Sequence, residues 1–441
     1  MSYDATDPES IERYARRLVD RPIGDLLPVQ AGERQGTYTK GHVGQHYERY
    51  FGLSVNSEQR PDFEDCGVEL KAVPIAGSGK NQRAKERTFV TAIDYATIAQ
   101  QPFEGSALDL KTRHSLFVFY EWRPDVDAAS FRTLAVVRHE RDELDELIVR
   151  EAYDHVRRRV REGRAHELSE GDTYALGAAT KDSRARDIPQ PYSTLPARRR
   201  AFAWKPDYTT RLWQASRLRG GVPTVTAPDR MTELEELLES RLDAWRGESV
   251  RGIRDRLAPG LSDSFKAIAS NVTRRVLSAS DGTKVEEVDR LGITLRTIRV
   301  HPETALPYES VSFPAFLPVE LANEEWDGSR LESQLRAMFF VVLEAWPDDD
   351  VVDARLRGGF FWHPTPKQIA TAASEWEVFR RHLAESRPDR MPTPSETRIL
   401  HVRPHGRDST DRVPLPDGTP WQRSSFWLNR EFVGRLVAEH L

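Results

Sequence analysis

The chain has 441 residues, 38% of them hydrophobic and 30% charged, with a formal net charge of -5. That length exceeds one small module, and 10 Trp, 18 Phe and 12 Tyr supply ordinary cores, so global disorder is excluded. A lone cysteine, Cys66, excludes an internal disulfide and a thiolate zinc cluster, and the absence of a long apolar run or a basic-then-apolar leader points to a cytoplasmic protein with no membrane span.

In chain order, apolar spacing predicts helices over 8–18 and 40–51 and strands near 68–75, 88–93, 115–120 and 133–137. A charged helix follows over 141–161. Strands mixed with helices indicate an α/β or α+β domain with a mixed sheet. Residues 181–220 then hold ten basic side chains against three acidic ones, Asp182, Asp187 and Asp207. Over the whole chain the cations are 10 Lys and 54 Arg, and Arg suits bidentate phosphate and base-edge contacts. A basic segment on a near-neutral body is the pattern of a protein that touches a polyanion at one place. Gly220-Gly221-Val222-Pro223 breaks the chain. Beyond it a helix over 231–245 carries Leu234, Leu237, Leu238, Leu242 and Trp245 at helical spacing. The expected division is 1–220, a linker with a connecting helix at 221–256, and 257–441.

The two halves repeat one another. Asp65-Cys66-Gly67-Val68-Glu69-Leu70-Lys71 returns 225 residues later as Arg290-Leu291-Gly292-Ile293-Thr294-Leu295-Arg296. In the same order, Arg87-Thr88-Phe89 answers to Val311-Ser312-Phe313, Leu116-Phe117-Val118-Phe119 to Phe340-Val341-Val342-Leu343, and Ala201-Phe202-Ala203-Trp204 to Ser425-Phe426-Trp427-Leu428. Four matches in order make two copies of one fold.

Only the first copy carries a set of catalytic residue types. Glu69 and Lys71 are two apart on a predicted strand and share a face, with Leu70 turned to the core. Asp62 precedes Glu69 by seven residues. Carboxylate oxygens are the ligands that hard Mg2+ prefers, and such an ion polarises a phosphate and acidifies a bound water. A lysine beside it can position that water and offset developing charge. His42 and His46 lie four apart on a predicted helix, but no Glu follows the first, which disfavours a zinc protease.

The run Lys40-Gly41-His42-Val43-Gly44-Gln45-His46-Tyr47-Glu48-Arg49-Tyr50-Phe51-Gly52, followed by Pro61-Asp62, Gly67-Val68-Glu69-Leu70-Lys71 and Glu86-Arg87-Thr88-Phe89-Val90, closely resembles the MutH mismatch-repair nicking enzymes and their relatives, the GATC-cutting type II restriction enzymes of the MutH/Sau family. That resemblance covers most of 8–217 and implies the PD-(D/E)xK nuclease fold, in two tandem MutH-like domains forming an internal pseudo-dimer. It implies that Asp62 and Glu69 ligate Mg2+, that Glu48 is the family's helical acidic residue supporting them, and that Lys71 and Lys111 are the active-site lysines. It also implies DNA contact by Lys181, Arg198, Arg199, Arg200 and Lys205, with nearby aromatic residues as further candidates.

Setting Gly67 on Gly292 puts Asp62 on Glu287, Glu69 on Thr294, Lys71 on Arg296 and Glu48 near Thr273. The second copy therefore keeps the fold signature and loses the chemistry. Its late segment Arg403-Pro404-His405 resembles the recognition loop of MutH. The implied division is cutting in the first half and DNA binding in the second, which binds a second site and activates cleavage. The expected enzyme is a Mg-dependent type II endonuclease acting on double-stranded DNA at GATC or a related site, with a cognate DNA methyltransferase as companion. The competing readings are a methyl-directed strand-nicking repair enzyme and a catalytically silent DNA-binding regulator.

Overall fold

A computed structural model describes residues 3–25, 42–53, 59–124, 126–180, 187–218, 222–264, 267–278 and 284–441. The chain forms two compact units, Met1–Met231 with Asp289–Gly292, and Thr232–Val288 with Ile293–Leu441. No helix among the described residues is long and apolar enough to cross a membrane.

In the first unit, Asp7 caps α1 (Pro8–Ala15) by accepting from the N–H groups of Glu9 and Ser10, with Pro8 where its missing donor is harmless. Helix α2 (His42–Phe51) buries Val43, Tyr47 and Phe51, four residues apart, so one face enters the core. The expected start of this helix at Lys40 and Gly41 lies outside the described residues. Gly67, at a φ of 70°, makes the turn into β1 (Val68–Ala76), a backbone region that disfavours other residues.

The chain continues through β2 (Arg83–Ala84), β3 (Thr88–Ala92), α3 (Tyr95–Gln100), α4 (Ala107–Arg113), β4 (His114–Glu121), β5 (Thr133–Glu140), α5 (Glu143–Arg161), β6 (Leu176–Thr180), β7 (Arg200–Trp204) and α6 (Pro206–Ser216). One sheet has the order β2-β1-β4-β5 and the other β3-β7-β6. Strands β1 and β4 are parallel, Glu69 opposite Ser115. A parallel pair needs a long crossover, and the segment containing α3 and α4 supplies it. Leu116, Phe117, Val118, Phe119 and Tyr120 are all buried, as expected of a strand covered on both faces.

The second unit contains α7 (Met231–Asp243), α8 (Val250–Leu257), α9 (Ile268–Leu277), the first half of α10 (Glu286–Leu291), β8 (Thr294–Val300), β9 (Val311–Ser312), α11 (Pro318–Leu321), α12 (Arg330–Arg336), β10 (Met338–Glu344), β11 (Arg355–Trp362), α13 (Pro366–Ala384), β12 (Leu400–Pro404), β13 (Arg412–Pro414), β14 (Pro420–Gln422), β15 (Ser424–Leu428) and α14 (Arg430–His440). Its sheet order β8-β10-β11 repeats β1-β4-β5, and β9-β15-β12 repeats β3-β7-β6. Gly292 precedes β8 at a φ of 71°, as Gly67 precedes β1. The β13-β14 ribbon has no counterpart among the described strands of the first unit.

The expected connecting helix is a structural layer of the second unit. Leu234, Leu238 and Leu242 of α7 are buried, whereas Leu237 is 43% exposed. Glu239 accepts from the Phe361 N–H at 3.1 Å and Glu235 bonds to His363 Nε2 at 2.9 Å, which fixes α7 along β11.

Candidate active site

The site is built where the loop before β1 folds back on the strand. Phe63 N–H donates to Val68 O at 2.9 Å and Gly67 N–H to Phe63 O at 2.8 Å, which returns Asp62 to the strand. Asp62 Oδ2 then accepts from the Leu70 N–H at 2.8 Å, while the Asp62 N–H donates to Glu69 Oε2 at 3.2 Å. The two carboxylates are thereby clasped side by side.

Two ammonium groups meet the other oxygen of Glu69. Lys71 Nζ donates to Glu69 Oε1 at 2.6 Å, and Lys111 Nζ to the same atom at 3.2 Å. The first contact follows from the two-residue strand period. The second follows from the parallel register, since Lys111 lies in the last turn of α4 just before His114, which pairs with Val68. Glu69 is 1% exposed and Lys111 8%, so these charges interact with little screening by water.

Helix α2 brings the third carboxylate. Tyr47 is fully buried and its hydroxyl shares a hydrogen bond of 2.9 Å with Thr133 Oγ1. The next residue, half-buried Glu48, is close enough for its ionisation to respond to Asp62, Glu69, Lys71 and Lys111. Burial, then the charge of Asp62, raises the Glu48 carboxyl above its usual range. Burial, then the charge of Glu69, does the same to Asp62, against the opposing pull of Lys71, the Leu70 N–H and Lys111.

Three carboxylates thus face two ammonium groups, and both shifted acids resist carrying their charge. Glu48 Oε2 is buried with no hydrogen-bond partner among the described residues. An orphaned oxygen in a site short of positive charge fits a hard divalent cation. The donors available to such an ion would be the paired Asp62 and Glu69, with Glu48 in support. In the present side-chain positions, no group of three or more His, Cys, Asp or Glu among the described residues forms a ready metal cage; Glu69 Oε1 is engaged by the lysines instead.

Sequence reasoning missed what holds Lys111. Asp109, 1% exposed, accepts from Gly105 N–H at 2.8 Å, Arg113 Nε at 2.9 Å and Arg141 Nη2 at 2.8 Å. These bonds fix α4, whose last turn bears Lys111. The available signals were the Asp109/Arg113 spacing of four residues and Ser106, which caps the Asp109 N–H. Cys66 is a packing residue, its thiol raised by burial and directed at the carbonyls of Ala5 and Phe63.

The residues expected at DNA separate into three groups. Lys181 lies outside the described residues. Arg198 and Arg199 are exposed just before β7. Arg200 and Lys205 are buried, donating to the carbonyls of Ala178 and Thr173, so in this arrangement they brace backbone and do not face solvent. The nearby aromatics correct the expectation in the same way: Phe202, Trp204 and Tyr208 are buried, with Trp204 stacked on Tyr208 at 4.0 Å. In the second unit Arg403, Pro404 and His405 are exposed at the end of β12, with His405 Nδ1 2.8 Å from Ser425 Oγ. The carboxylate that replaces Asp62 there, Glu287, is buried and paired with Arg241 at 2.7 Å.

The family model for the DNA mismatch repair enzyme MutH matches residues 51–151, which hold Asp62, Glu69, Lys71 and Lys111. The type II restriction enzyme Sau3AI of Staphylococcus aureus is 27% identical over 98% of this chain and 99% of its own length. These matches support a MutH/Sau-type restriction endonuclease family for the chain. DNA mismatch repair proteins align with part of it: MutH of Vibrio parahaemolyticus is 28% identical over 35% of this chain and 67% of its own length, and MutH of Yersinia enterocolitica 29% over 46% and 91%. The restriction relative spans both units, whereas these repair relatives span less than half of the chain.

Proposed function

We propose that this chain is a type II restriction endonuclease that hydrolyses phosphodiester bonds of double-stranded DNA at a short site, GATC or a related sequence. The observation that carries the reading is the clasped Asp62, Glu69 and Lys71 set within a chain that matches a restriction enzyme from end to end. Asp62 and Glu69 would hold Mg2+, supported by Glu48, and the ion would polarise the scissile phosphate and acidify a water. Lys71 orients that water and offsets the negative charge that builds on the phosphate oxygens. Lys111, on the same oxygen of Glu69, fixes the carboxylate and adds a second positive charge at the phosphate.

Exposed Arg198 and Arg199, with Lys181, would grip the backbone of the duplex, while Arg200 and Lys205 support the strand that carries them. Arg403, Pro404 and His405 form the recognition segment of the second half, which binds a second DNA site and activates the first. This makes one chain a pseudo-dimer, with 1–220 catalytic, 221–256 connecting and 257–441 effector. A cognate methyltransferase in the cytoplasm would protect the host's own sites.

The duplication, matched along its whole length by a restriction enzyme, favours this reading over a strand-nicking repair enzyme. The intact acidic and lysine set opposes a silent regulator. Digestion of adenine-methylated and unmethylated duplex DNA with Mg2+, followed by end mapping, tests it. Discrete double-strand ends at one short sequence are expected; single-strand nicks alone, or no cleavage, would overturn it.

A further inference from the structure

In the second unit a cavity of about 320 Å³ opens beside Arg296, the residue that stands where the first copy has Lys71. Strand β8, strand β9 and the start of α9 form its walls. Arg296 is half-buried and donates to two backbone carbonyls, Leu295 O at 3.0 Å and Ser312 O at 3.1 Å. It has no carboxylate partner among the described residues. Burial, then the like charge of Arg274, pushes its guanidinium below the usual value. Thr297 Oγ1, on the same wall, is buried without a hydrogen-bond partner among the described residues. The cavity also carries Arg299, paired with Glu309 at 3.0 Å, and the hydroxyls of Ser270 and Ser310.

A divalent cation has no place here, because Thr294 stands for Glu69, Thr273 lies near the place of Glu48, and Glu287, which stands for Asp62, is neutralised by Arg241. The unmet need is the opposite one. A half-buried guanidinium without a carboxylate partner among the described residues, in a cavity that also carries the unpartnered Thr297 hydroxyl, lacks an anion. Arg's fork matches tetrahedral phosphate.

We propose that this degenerate centre is a phosphate-binding pocket in which Arg296 receives a backbone phosphate of the DNA bound by the second half, without metal. The copies share topology and the position of the strand, so a duplex on the second copy presents a phosphate at Arg296 as the first copy presents one at Lys71. The inference rests on the reading that the second half binds DNA.

The test is binding of the full chain to a duplex in EDTA, measured over a series of salt concentrations. Arg296→Met should weaken binding about 5–10-fold, equally for all sequences, and lower the slope of log affinity against log salt by about 0.9, the loss of one phosphate contact. Ser270→Glu, which places a carboxylate at the exposed wall and leaves Arg296 in place, should do the same even if the first variant folds poorly. Unchanged affinity and slope in folded variants overturns the pocket. Arg403→Ala runs alongside: if it weakens binding while the pocket variants do not, only the pocket fails, and if it too is silent, the reading beneath it fails. A second arm adds inorganic phosphate without DNA. Thermal protection that depends on Arg296, with an unchanged DNA slope, assigns the pocket to free phosphate and overturns the DNA assignment.

Discussion

Replacing Asp109 by alanine should disable the enzyme without removing any group from the reacting centre. The Asp109 side chain is 2% exposed and holds Arg113, Arg141 and the Gly105 N–H. Breaking a buried charge pair costs about 3–5 kcal/mol. The cost here is lower, since Arg113 is 49% exposed and rehydrates, while Arg141 keeps Thr112 Oγ1 at 2.9 Å and Glu146 at 2.7 Å. About 2–3 kcal/mol remains. For a unit of this size that lowers the thermal midpoint by about 4–12 °C. Burial alone would raise this carboxyl, but hydrogen bonds from Arg113, Gly105 and Arg141 hold it at about 2. A depressed carboxylate stabilises fully above its unfolded value near about 4, and that stabilisation drains away as pH falls towards the folded value. The gap between wild type and Asp109→Ala should therefore be constant from neutral pH to about pH 5 and shrink below about pH 4. Thermal unfolding followed across that range, with cleavage and binding assays at neutral pH, checks the argument. Cleavage should fall more than binding, because Lys111 loses its anchor. A midpoint within about 1 °C of wild type at neutral pH, or a gap that widens in acid, would refute it.

Glu48→Gln should gain about 0.5–1 kcal/mol at neutral pH in a urea titration while cleavage drops, the usual exchange at a site that stores unfavourable charge. The raised carboxyl of Glu48 costs stability above its pKa, so the gain should vanish on acidification as the wild-type residue protonates. Arg403→Ala should slow cleavage of two-site plasmids towards the one-site rate and leave the one-site rate unchanged; equal wild-type rates on both plasmids would sink the effector role.

Much of the active site was legible because strand periodicity places Glu69 and Lys71 on one face whatever the tertiary fold. The duplication was legible because Gly67 and Gly292 mark the same left-handed turn before the same strand. What closes Lys111 onto Glu69 was not, since the parallel register of β1 and β4 joins residues 42 apart and leaves no local pattern. The basic segment misled in part. Counting cations cannot show that β7 is the middle strand of its sheet, and there Arg200 turns inward to a backbone carbonyl beside buried Phe202 and Trp204. The helix α7 announced its amphipathic face, but only tertiary packing reveals that β11 covers it.

The most direct test of the account is cleavage and binding of one duplex by Lys71→Ala, with and without Mg2+. Removing a group that stabilises the reacting phosphate should cost about 100-fold or more in rate, while affinity for DNA stays near that of wild type. Cutting at an undiminished rate by a folded Lys71→Ala protein would contradict the assignment of the Asp62, Glu69 and Lys71 centre as the nuclease site.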